Sequence, residues 1–365
     1  MRQVLLHFDT IIRTYDGKLP LAHYLKNYYK QHPILGSRDR KMLTGFAFGW
    51  YRTAKGAAEN VVKEQMQLWL TSGDWSTSQF ADWFLQAGNS FSHGALFPFA
   101  TPLSPGITRD EWLRSMTTQP NLFIRIRKDR ERIQALLKEA GIPFTAITET
   151  CLALPNGAKI ETLLPPASYV VQDASSQQTG SWFHPAKKEK WYDCCSGAGG
   201  KSLLLKDKEP TVKLTVSDKR ASILHNLQDR FRLYGHNLPE AIVTDVSDAG
   251  QLGKALGNER FDKIICDAPC SGSGTWARTP EQLYFFNPET LPSFAALQTT
   301  IATNVARYLN PGGSLYYITC SVFKQENEDV VNALVEKTNL TLHSAQIING
   351  ASIHADSMFI AELLK

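Results

Sequence analysis

From about residue 190 the chain settles into short β-rich runs separated by helical stretches, and that rhythm leaves few folds open. Strands are predicted at Trp191–Cys194, Lys213–Ser217, Ala241–Thr244, Lys263–Cys266 and Ser314–Ile318, with two more at Leu340–His343 and Met358–Leu364. Alternating elements of this length imply a parallel sheet covered by helices on both faces. In such an open α/β sheet, ligands bind in the crevice beyond the strand carboxyl ends.

Two cysteines stand at predicted strand ends: Cys270 in Asp267-Ala-Pro-Cys-Ser-Gly-Ser-Gly274, and Cys320 in Tyr317-Ile-Thr-Cys-Ser321. A free Cys is usually a small, inert, buried hydrophobe, and Cys151 and Cys266 are read that way. The glycines, proline and acids around Cys270 and Cys320 point instead to covalent chemistry on a ligand. A structural zinc site is disfavoured. Cys194 and Cys195 are adjacent, Cys266 and Cys270 are separated by three residues, and neither a Cys-x-x-Cys pair nor a close His pair accompanies them.

A chain of 365 residues is long enough for two or three domains. It has no uninterrupted apolar run near the ~20 residues of a membrane helix. The start is broken by His7 and Asp9 and lacks a small-residue cleavage site, which argues against a signal peptide. Reduced thiols, a cytoplasmic location and a monomeric chain without metal are therefore the default expectations. Net charge is +4, but residues 1–55 carry ten Lys and Arg against Asp9, Asp16 and Asp39, leaving the remainder acidic. With Tyr15, Tyr24, Tyr28, Tyr29, Trp50 and Tyr51, this basic stretch suits a polyanion. Aromatics in a helical core beneath a solvated surface would produce the same composition.

Apolar spacing predicts helices over residues 1 to about 70, and a linker with short helical pieces over 71–112. A small α/β module follows: a strand at Leu122–Arg127, a helix at Asp129–Ala140 closed by Gly141, and two short strands between Phe144 and Leu154.

The loop Asp193-Cys-Cys-Ser-Gly-Ala-Gly-Gly-Lys-Ser202 follows the first strand of the sheet and opens a helix, where glycines let backbone N–H groups approach a ligand. A dinucleotide would prefer Gly-x-Gly-x-x-Gly, whereas Gly197-Ala-Gly199 is followed by Ser202. Gly200-Lys-Ser202 fits the end of a P-loop, but the required first glycine is Cys195. S-adenosylmethionine, a cationic sulfonium without phosphate, fits better because Asp193, Asp218, Asp245 and Asp267 fall at successive strand ends. Asp218 could hold both ribose hydroxyls and Asp245 lies where adenine would sit.

Together these motifs resemble the RsmB/Sun (Fmu) group of RNA cytosine-5 methyltransferases. Val171-Gln-Asp-Ala-Ser-Ser-Gln177 resembles the motif that opens the family's catalytic region, and Asp193–Ser202 resembles its Gly-Gly-Lys cofactor loop. Asp267–Gly274 with Arg278 and Pro280 resembles its first cysteine motif, and Thr319-Cys-Ser321 followed by Glu326-Asn-Glu328 its second. Gly197-Ala198 replaces the usual Ala-Pro, and the extra C-terminal RNA-binding domain of some relatives is absent from this sequence. The resemblance implies an α/β fold: a Rossmann-like methyltransferase domain at 169–365, with a mostly parallel doubly wound sheet. It would be preceded by a helical domain plus linker at 1–112 and a small RNA-binding α/β module at 113–168.

The resemblance further implies that Cys320 attacks the base, Cys270 assists its release, and Asp267 and Lys201 sit at the catalytic centre. Cys194, Cys195, Ser196, Gly197, Ala198, Gly199, Gly200, Lys201, Asp218, Asp245 and Asp267 would hold S-adenosylmethionine. Arg38, Arg40, Lys41, Arg125 and Arg278 are the candidate RNA contacts, with small-subunit ribosomal RNA the first expected partner and transfer RNA the second. The chemistry itself needs a thiol. Cytosine C5 is too weak a nucleophile until a thiolate adds at C6 and turns the ring into an enamine-like species. Amine methyltransferases use Asp/Asn-Pro-Pro-aromatic, whereas the matching stretch here is Asp267-Ala-Pro-Cys270. An ATP-using assembly factor, or an inactive RNA-binding ribosome factor, remains the alternative class.

Overall fold

The computed structural model describes residues 2–76 and 78–365. They divide into two compact units, one formed by residues up to 101 with 108–120 and 275–288, the other by 102–107, 121–274 and 289–365.

The first unit is helical. Its long helices, Arg2–Thr14, Leu21–Gln31, Ser37–Thr53 and Glu59–Ser72, each show an apolar stripe at spacings of three and four. Val4, Phe8, Ile11 and Tyr15 come from the first of these stripes and its end. Phe8 meets the edges of Phe46 and Trp50 at centroid distances of 5.6 and 5.9 Å. The terminal aromatics thus serve the core: Tyr15, Tyr28, Trp50 and Tyr51 are buried, and Tyr24 and Tyr29 pack against them. This removes them as a polyanion-stacking surface. The stretch 71–112 does form short helices, Phe80–Gln86, His93–Leu96 and Arg109–Ser115. It is not a linker, however, because Phe80, Phe84, Phe97 and Trp112 are buried core residues. The insertion 275–288 joins this unit through Glu281, whose Oε1 accepts from Leu21 N at 3.1 Å, and through Arg52, which donates to Ala277 O at 2.7 Å.

The second unit holds two sheets. A four-stranded antiparallel sheet contains β1 (Leu122–Ile126), β2 (Thr145–Ala146), β3 (Cys151–Leu154) and β4 (Tyr169–Val171) in the order β2-β3-β1-β4. Helix Arg130–Glu139 buries Ile133 and Leu137 in the core of this module. The predicted elements of the module are present, and β4 extends its sheet past residue 168.

The larger sheet contains β5 (Lys190–Asp193), β6 (Lys213–Asp218), β7 (Glu240–Val243), β8 (Phe261–Asp267), β9 (Leu309–Thr319), β10 (Thr341–Ile348) and β11 (Met358–Leu364). Their order is β10-β11-β9-β8-β5-β6-β7; β5 to β9 pair in parallel, and β11 runs antiparallel to both its neighbours. Alternate residues of β8 and β9 feed opposite cores: Ile264, Cys266, Leu315 and Tyr317 on one face, Ile265, Tyr316 and Ile318 on the other. Burial on both faces is why these strands read as nearly continuous apolar runs. Trp191 stacks on Tyr316 at 5.6 Å and 7°. Strand order reverses between β5 and β8, so the crevice outside their carboxyl ends is the switch point where ligands of this architecture bind.

Gly49, a turn before the end of Ser37–Thr53, tests the helical core. An added Cβ would lie 2.8 Å from Phe80 Cβ. Helix propensity alone favours Ala by ~1 kcal/mol, whereas overpacking costs ~1–3 kcal/mol. Gly49→Ala is therefore expected to destabilise by about 1 kcal/mol in urea unfolding, and a gain in stability would show that the core yields there.

Candidate active site

β5 ends in Asp193, which is buried, and its Oδ2 accepts from Ser202 Oγ at 2.6 Å. Burial pushes this carboxyl up to about 7, helped by the charge of Asp267 and opposed by the Ser202 hydrogen bond and the charge of Lys201. Ser202 is the hydroxyl that a P-loop would turn toward a metal–phosphate complex. Here it is fully buried and spent on Asp193, which removes the P-loop reading.

The loop from Cys194 to Gly200 climbs from the strand into helix Gly200–Lys208. Gly197 and Gly199 take φ of +50° and +80°, and a Cβ on Gly199 would strike Leu227 at 2.8 Å. A Cβ on Gly197 or Gly200 would meet nothing within 4 Å, so open space lies against the backbone there. Ser196 braces the loop by donating from N and Oγ to Ser217 O at 3.0 and 3.1 Å.

A cavity of about 340 Å³ opens beside this loop. Of the eleven residues expected around a cofactor, Cys194, Cys195, Gly197, Asp218, Asp245 and Asp267 line it. Ser196, Ala198, Gly199, Gly200 and Lys201 do not; they shape the loop or point elsewhere. Sequence reading missed Arg220, Ser247, Pro269 and the apolar wall of Leu297 and Ile301, which comes from helix Leu291–Ala306. Periodicity marks those two only as one face of a helix.

Asp218 ends β6 and is gripped by Arg220, whose Nε and Nη2 donate to its two oxygens at 3.0 and 3.2 Å. Burial raises the Asp218 carboxyl, but the Arg220 hydrogen bonds and charge prevail and hold it below the usual range. Asp245 lies two residues beyond β7 rather than at its end. Ser247 N and Oγ donate to it at 3.0 and 2.6 Å and lower its pKa.

Asp267 ends β8 beside the same cavity. Lys201 Nζ lies 3.0 Å from its Oδ2 and 3.0 Å from Ser176 Oγ, so Lys201 is committed to Asp267 rather than to solvent. Three residues on, Cys270 Sγ is 3.2 Å from Cys320 Sγ; both thiols are free and half-buried. Contact with Cys320 and burial push the Cys270 thiol well up.

Between the two cysteine loops sits Glu326, fully buried. Its carboxylate accepts from Ser271 N at 2.8 Å, from Gln298 Nε2 at 2.9 Å, and from the hydroxyls of Ser271 and Ser321. Each cysteine is therefore followed by a serine bound to the same carboxylate. Asn327 adds a second clamp, accepting from Thr319 Oγ1 at 2.6 Å and donating to Ser321 O at 2.9 Å. Asp173 caps the short helix Ala174–Gln178, whose Ser176 meets Lys201.

The RNA candidates separate. Arg38 and Lys41 are exposed in the first turn of Ser37–Thr53, whereas Arg40 is half-buried and donates to Leu35 O at 2.8 Å. Arg278 is exposed in the first unit. Arg125 is not a surface contact: it is buried on β1, with Nη1 2.6 Å from Asp207 Oδ2 and Nε 3.0 Å from Gln172 Oε1. Among the described residues, no group of three or more His, Cys, Asp or Glu could hold a metal ion, and no helix is long and apolar enough to cross a membrane.

A parallel sheet reversed at β5, an acid-ended strand set and a glycine loop over an open cavity define a Rossmann-like methyltransferase fold. The sequence profile described as 16S rRNA methyltransferase RsmB/F matches residues 181–363, and the chain belongs to that family. Ribosomal RNA small subunit methyltransferase B of Shewanella oneidensis is 31% identical over 221 residues, 59% of this chain and 50% of that protein. The probable enzyme of the same name from Bacillus subtilis is 31% identical over 171 residues, 46% of this chain and 37% of its own. The chain thus matches about half the length of these relatives or less. Among solved structures, PH0851 shares the fold with a TM-score of 0.71 at 18% identity over 95% of each chain. NSun6 from Pyrococcus horikoshii, solved with SFG, does so with 0.59 at 16% over 70% of this chain and 94% of that one.

The buried Asp193 gives a pH test. Its folded pKa lies above the unfolded value, so its contribution to stability is complete below about pH 4 and lost as pH rises toward 7. Asp193→Asn keeps the acceptor for Ser202 without the charge. Relative to wild type, the variant should gain up to about 2 kcal/mol in urea unfolding between pH 5.5 and pH 8. A pH-independent difference would mean that the carboxyl ionises freely.

Proposed function

We propose that this protein is an S-adenosylmethionine-dependent RNA cytosine-C5 methyltransferase that makes 5-methylcytidine in small-subunit ribosomal RNA through a Cys–C6 adduct. The 3.2 Å approach of Cys270 and Cys320 beside the Asp267–Lys201 pair carries this reading. A ribosome factor that only bound RNA would have no use for two thiols held against each other at a strand-end crevice. The names of the curated relatives support the RNA class and the ribosomal target.

The 340 Å³ cavity suits the cofactor: open space faces the glycine backbone, and Asp218, Asp245 and Asp267 offer three carboxylates against the two cations Lys219 and Arg220, of which Arg220 is paired to Asp218. S-adenosylmethionine bound there would supply an electrophilic methyl group. Asp218 would take the ribose hydroxyls, sharing or displacing Arg220, while Leu297 and Ile301 would give adenine an apolar wall.

The residues divide the remaining work. Cys320, as thiolate, adds to C6 of a cytosine turned out of its stack. Asp267 faces the polar edge of that ring, and Lys201 keeps it in place and can pass it a proton, so the charge building on the ring as sulfur adds is neutralised. After methyl transfer the C5 proton is lost to solvent as the C6–S bond breaks, and Cys270, whose thiol is held protonated beside the Cys320 sulfur, can give its proton to the departing thiolate. Splitting the transfer into addition and elimination is what makes C5 reactive. Arg38, Arg40, Lys41 and Arg278 are the proposed RNA-facing charges.

Two measurements test this. Incubated with S-adenosylmethionine and ribosomal RNA lacking the modification, Cys270→Ala should yield a slow, nuclease-sensitive band on a denaturing gel, whereas Cys320→Ala yields none and loses about 10³-fold or more in methyl transfer. A band for Cys320→Ala alone would exchange the two roles; no band with RNA that carries unmodified target would overturn covalent catalysis. A transfer RNA pool run in parallel decides the substrate. In calorimetry, Asp218→Ala should weaken S-adenosylmethionine by about 10-fold or more, the worth of hydrogen bonds to a charged group. Arg220→Ala should bind as well as wild type or better, and equal loss in both would reject Asp218 as the ribose acceptor.

A further inference from the structure

All six cysteines are free, and three of them are half-buried: Cys195, Cys270 and Cys320. Oxidation of a thiol needs access to its sulfur, so it selects among these three. Cys195 has Cys194 Sγ 4.0 Å away. Those two residues are neighbours in the chain, and across a trans peptide their Cα atoms lie ~3.8 Å apart. That is shorter than the ~4.4–6.8 Å a disulfide spans. Cys270 and Cys320 meet no such limit. They leave β8 and β9, which pair in parallel as far as Asp267 and Ile318, and neighbouring strands lie ~4.8 Å apart.

The two sulfurs are 3.2 Å apart, against ~2.05 Å in a disulfide. Rotation about the two Cα–Cβ bonds can close that gap while the strands stay in place. The backbones are held for it. Glu326 tethers Ser271 and Ser321, and Gly274 N donates to Cys320 O at 2.9 Å. Two groups kept together in this way react as parts of one molecule, without the entropy cost of an encounter.

We infer that Cys270 and Cys320 are a reversible thiol–disulfide switch: a hydroperoxide such as hydrogen peroxide joins the two sulfurs, a small thiol parts them, and methyl transfer stops while they are joined. The Cys320 thiolate attacks one peroxide oxygen, the O–O bond breaks and hydroxide leaves, making a sulfenic acid at Cys320. The Cys270 sulfur then attacks the Cys320 sulfur. The S–O bond breaks, and the Cys270 proton leaves with that oxygen as water. The first hydroxide takes up the proton that Cys320 gave to solvent on ionising. The sulfurs together lose two electrons, the peroxide gains them, and both its oxygens end in water. Cys270 has that proton to give, because contact with Cys320 and burial push its thiol well up. It also protects its partner, since a sulfenic acid captured as a disulfide does not go on to irreversible sulfinic acid. Attack of two small thiols in turn restores both cysteines. The effect on methyl transfer rests on the proposed role of Cys320 as nucleophile; the bond itself does not.

The test treats the full chain with a small excess of hydrogen peroxide, without RNA or S-adenosylmethionine. Free thiols are then blocked with iodoacetamide in denaturant and the digest is mapped by mass spectrometry. One linked peptide pair, Cys270 to Cys320, is expected, lighter by two hydrogens and returned to free thiols by dithiothreitol. Cys151, Cys194, Cys195 and Cys266 should be alkylated as in the untreated chain. Methyl transfer to ribosomal RNA should fall in proportion to the linked fraction and recover with dithiothreitol. Cys270→Ala, with its fold checked by circular dichroism, should instead carry Cys320 on to sulfinic acid, which dithiothreitol does not reverse. No linked pair in wild type, a Cys194–Cys195 bond in its place, or a Cys320 that resists over-oxidation equally well in Cys270→Ala would overturn the pair. A linked chain with undiminished methyl transfer would overturn the switch. A chain that links reversibly but methylates nothing when reduced would establish the redox pair and reject the methylation reading, because the map is made without it.

Discussion

One buried carboxylate holds the candidate site together. Glu326 accepts hydrogen bonds from the residue after Cys270 and the residue after Cys320, and from Gln298, which also donates to Pro269 O at 3.0 Å. Two loops at the ends of neighbouring strands would otherwise be free to splay, since parallel strands share no hairpin. Tethering both to one acceptor converts their separation from a loop property into a core property. Gly274 closes the arrangement: its N donates to Cys320 O at 2.9 Å, and a Cβ there would lie 2.0 Å from Ser357 O. The 3.2 Å thiol contact is thus set by buried hydrogen bonds and a steric limit.

The second unit divides its chemistry by position. The ends of β6 and β8, and Asp245 just beyond β7, present carboxylates to an open cavity, and the glycine loop leaves open space against its backbone. The cysteines stand one step farther along, at the ends of β8 and β9, with Asp267 common to both regions. At the opposite end of helix Gly200–Lys208 the polarity inverts, with guanidiniums outnumbering carboxylates. The same helix carries Lys201 in its first turn, bound to Asp267, and Asp207 near its last, bound to Arg125 and Arg127.

Much of this was legible in the sequence because the signals were local. A strand buried on both faces announces itself by apolar runs, and β5 to β9 were each predicted, as were the elements of the small module. Asp193, Asp218 and Asp267 were placed at strand ends, and so was Asp245, but β7 stops at Val243, two residues before it, and its carboxylate is fixed by Ser247 instead. What escaped depended on tertiary partners. Nothing in Arg125 itself distinguishes a surface arginine from one buried against Asp207, eighty-two positions away. The tyrosines of the first helices fit a stacking surface or a core equally well until neighbouring helices cover them. Phe80, Phe84 and Phe97 sit among glycines and serines that read as a linker, although their side chains are fully buried. In the sequence Glu326 stands only as part of the second cysteine motif; its reach to both cysteine loops requires β8 and β9 to lie side by side.

The two thiols are fifty residues apart in the chain. They come together only when β8 and β9 pair in parallel, through a crossover that includes helix Leu291–Ala306 and contributes 275–288 to the core of the first unit. Contacts of such long sequence separation must meet a large loop-closure entropy before they are rewarded, so they form late. A growing chain that has emerged only as far as Cys270 carries an ordinary thiol. The thiol pair therefore arises with the finished fold, after both cysteine-bearing strands and the excursion between them are in place.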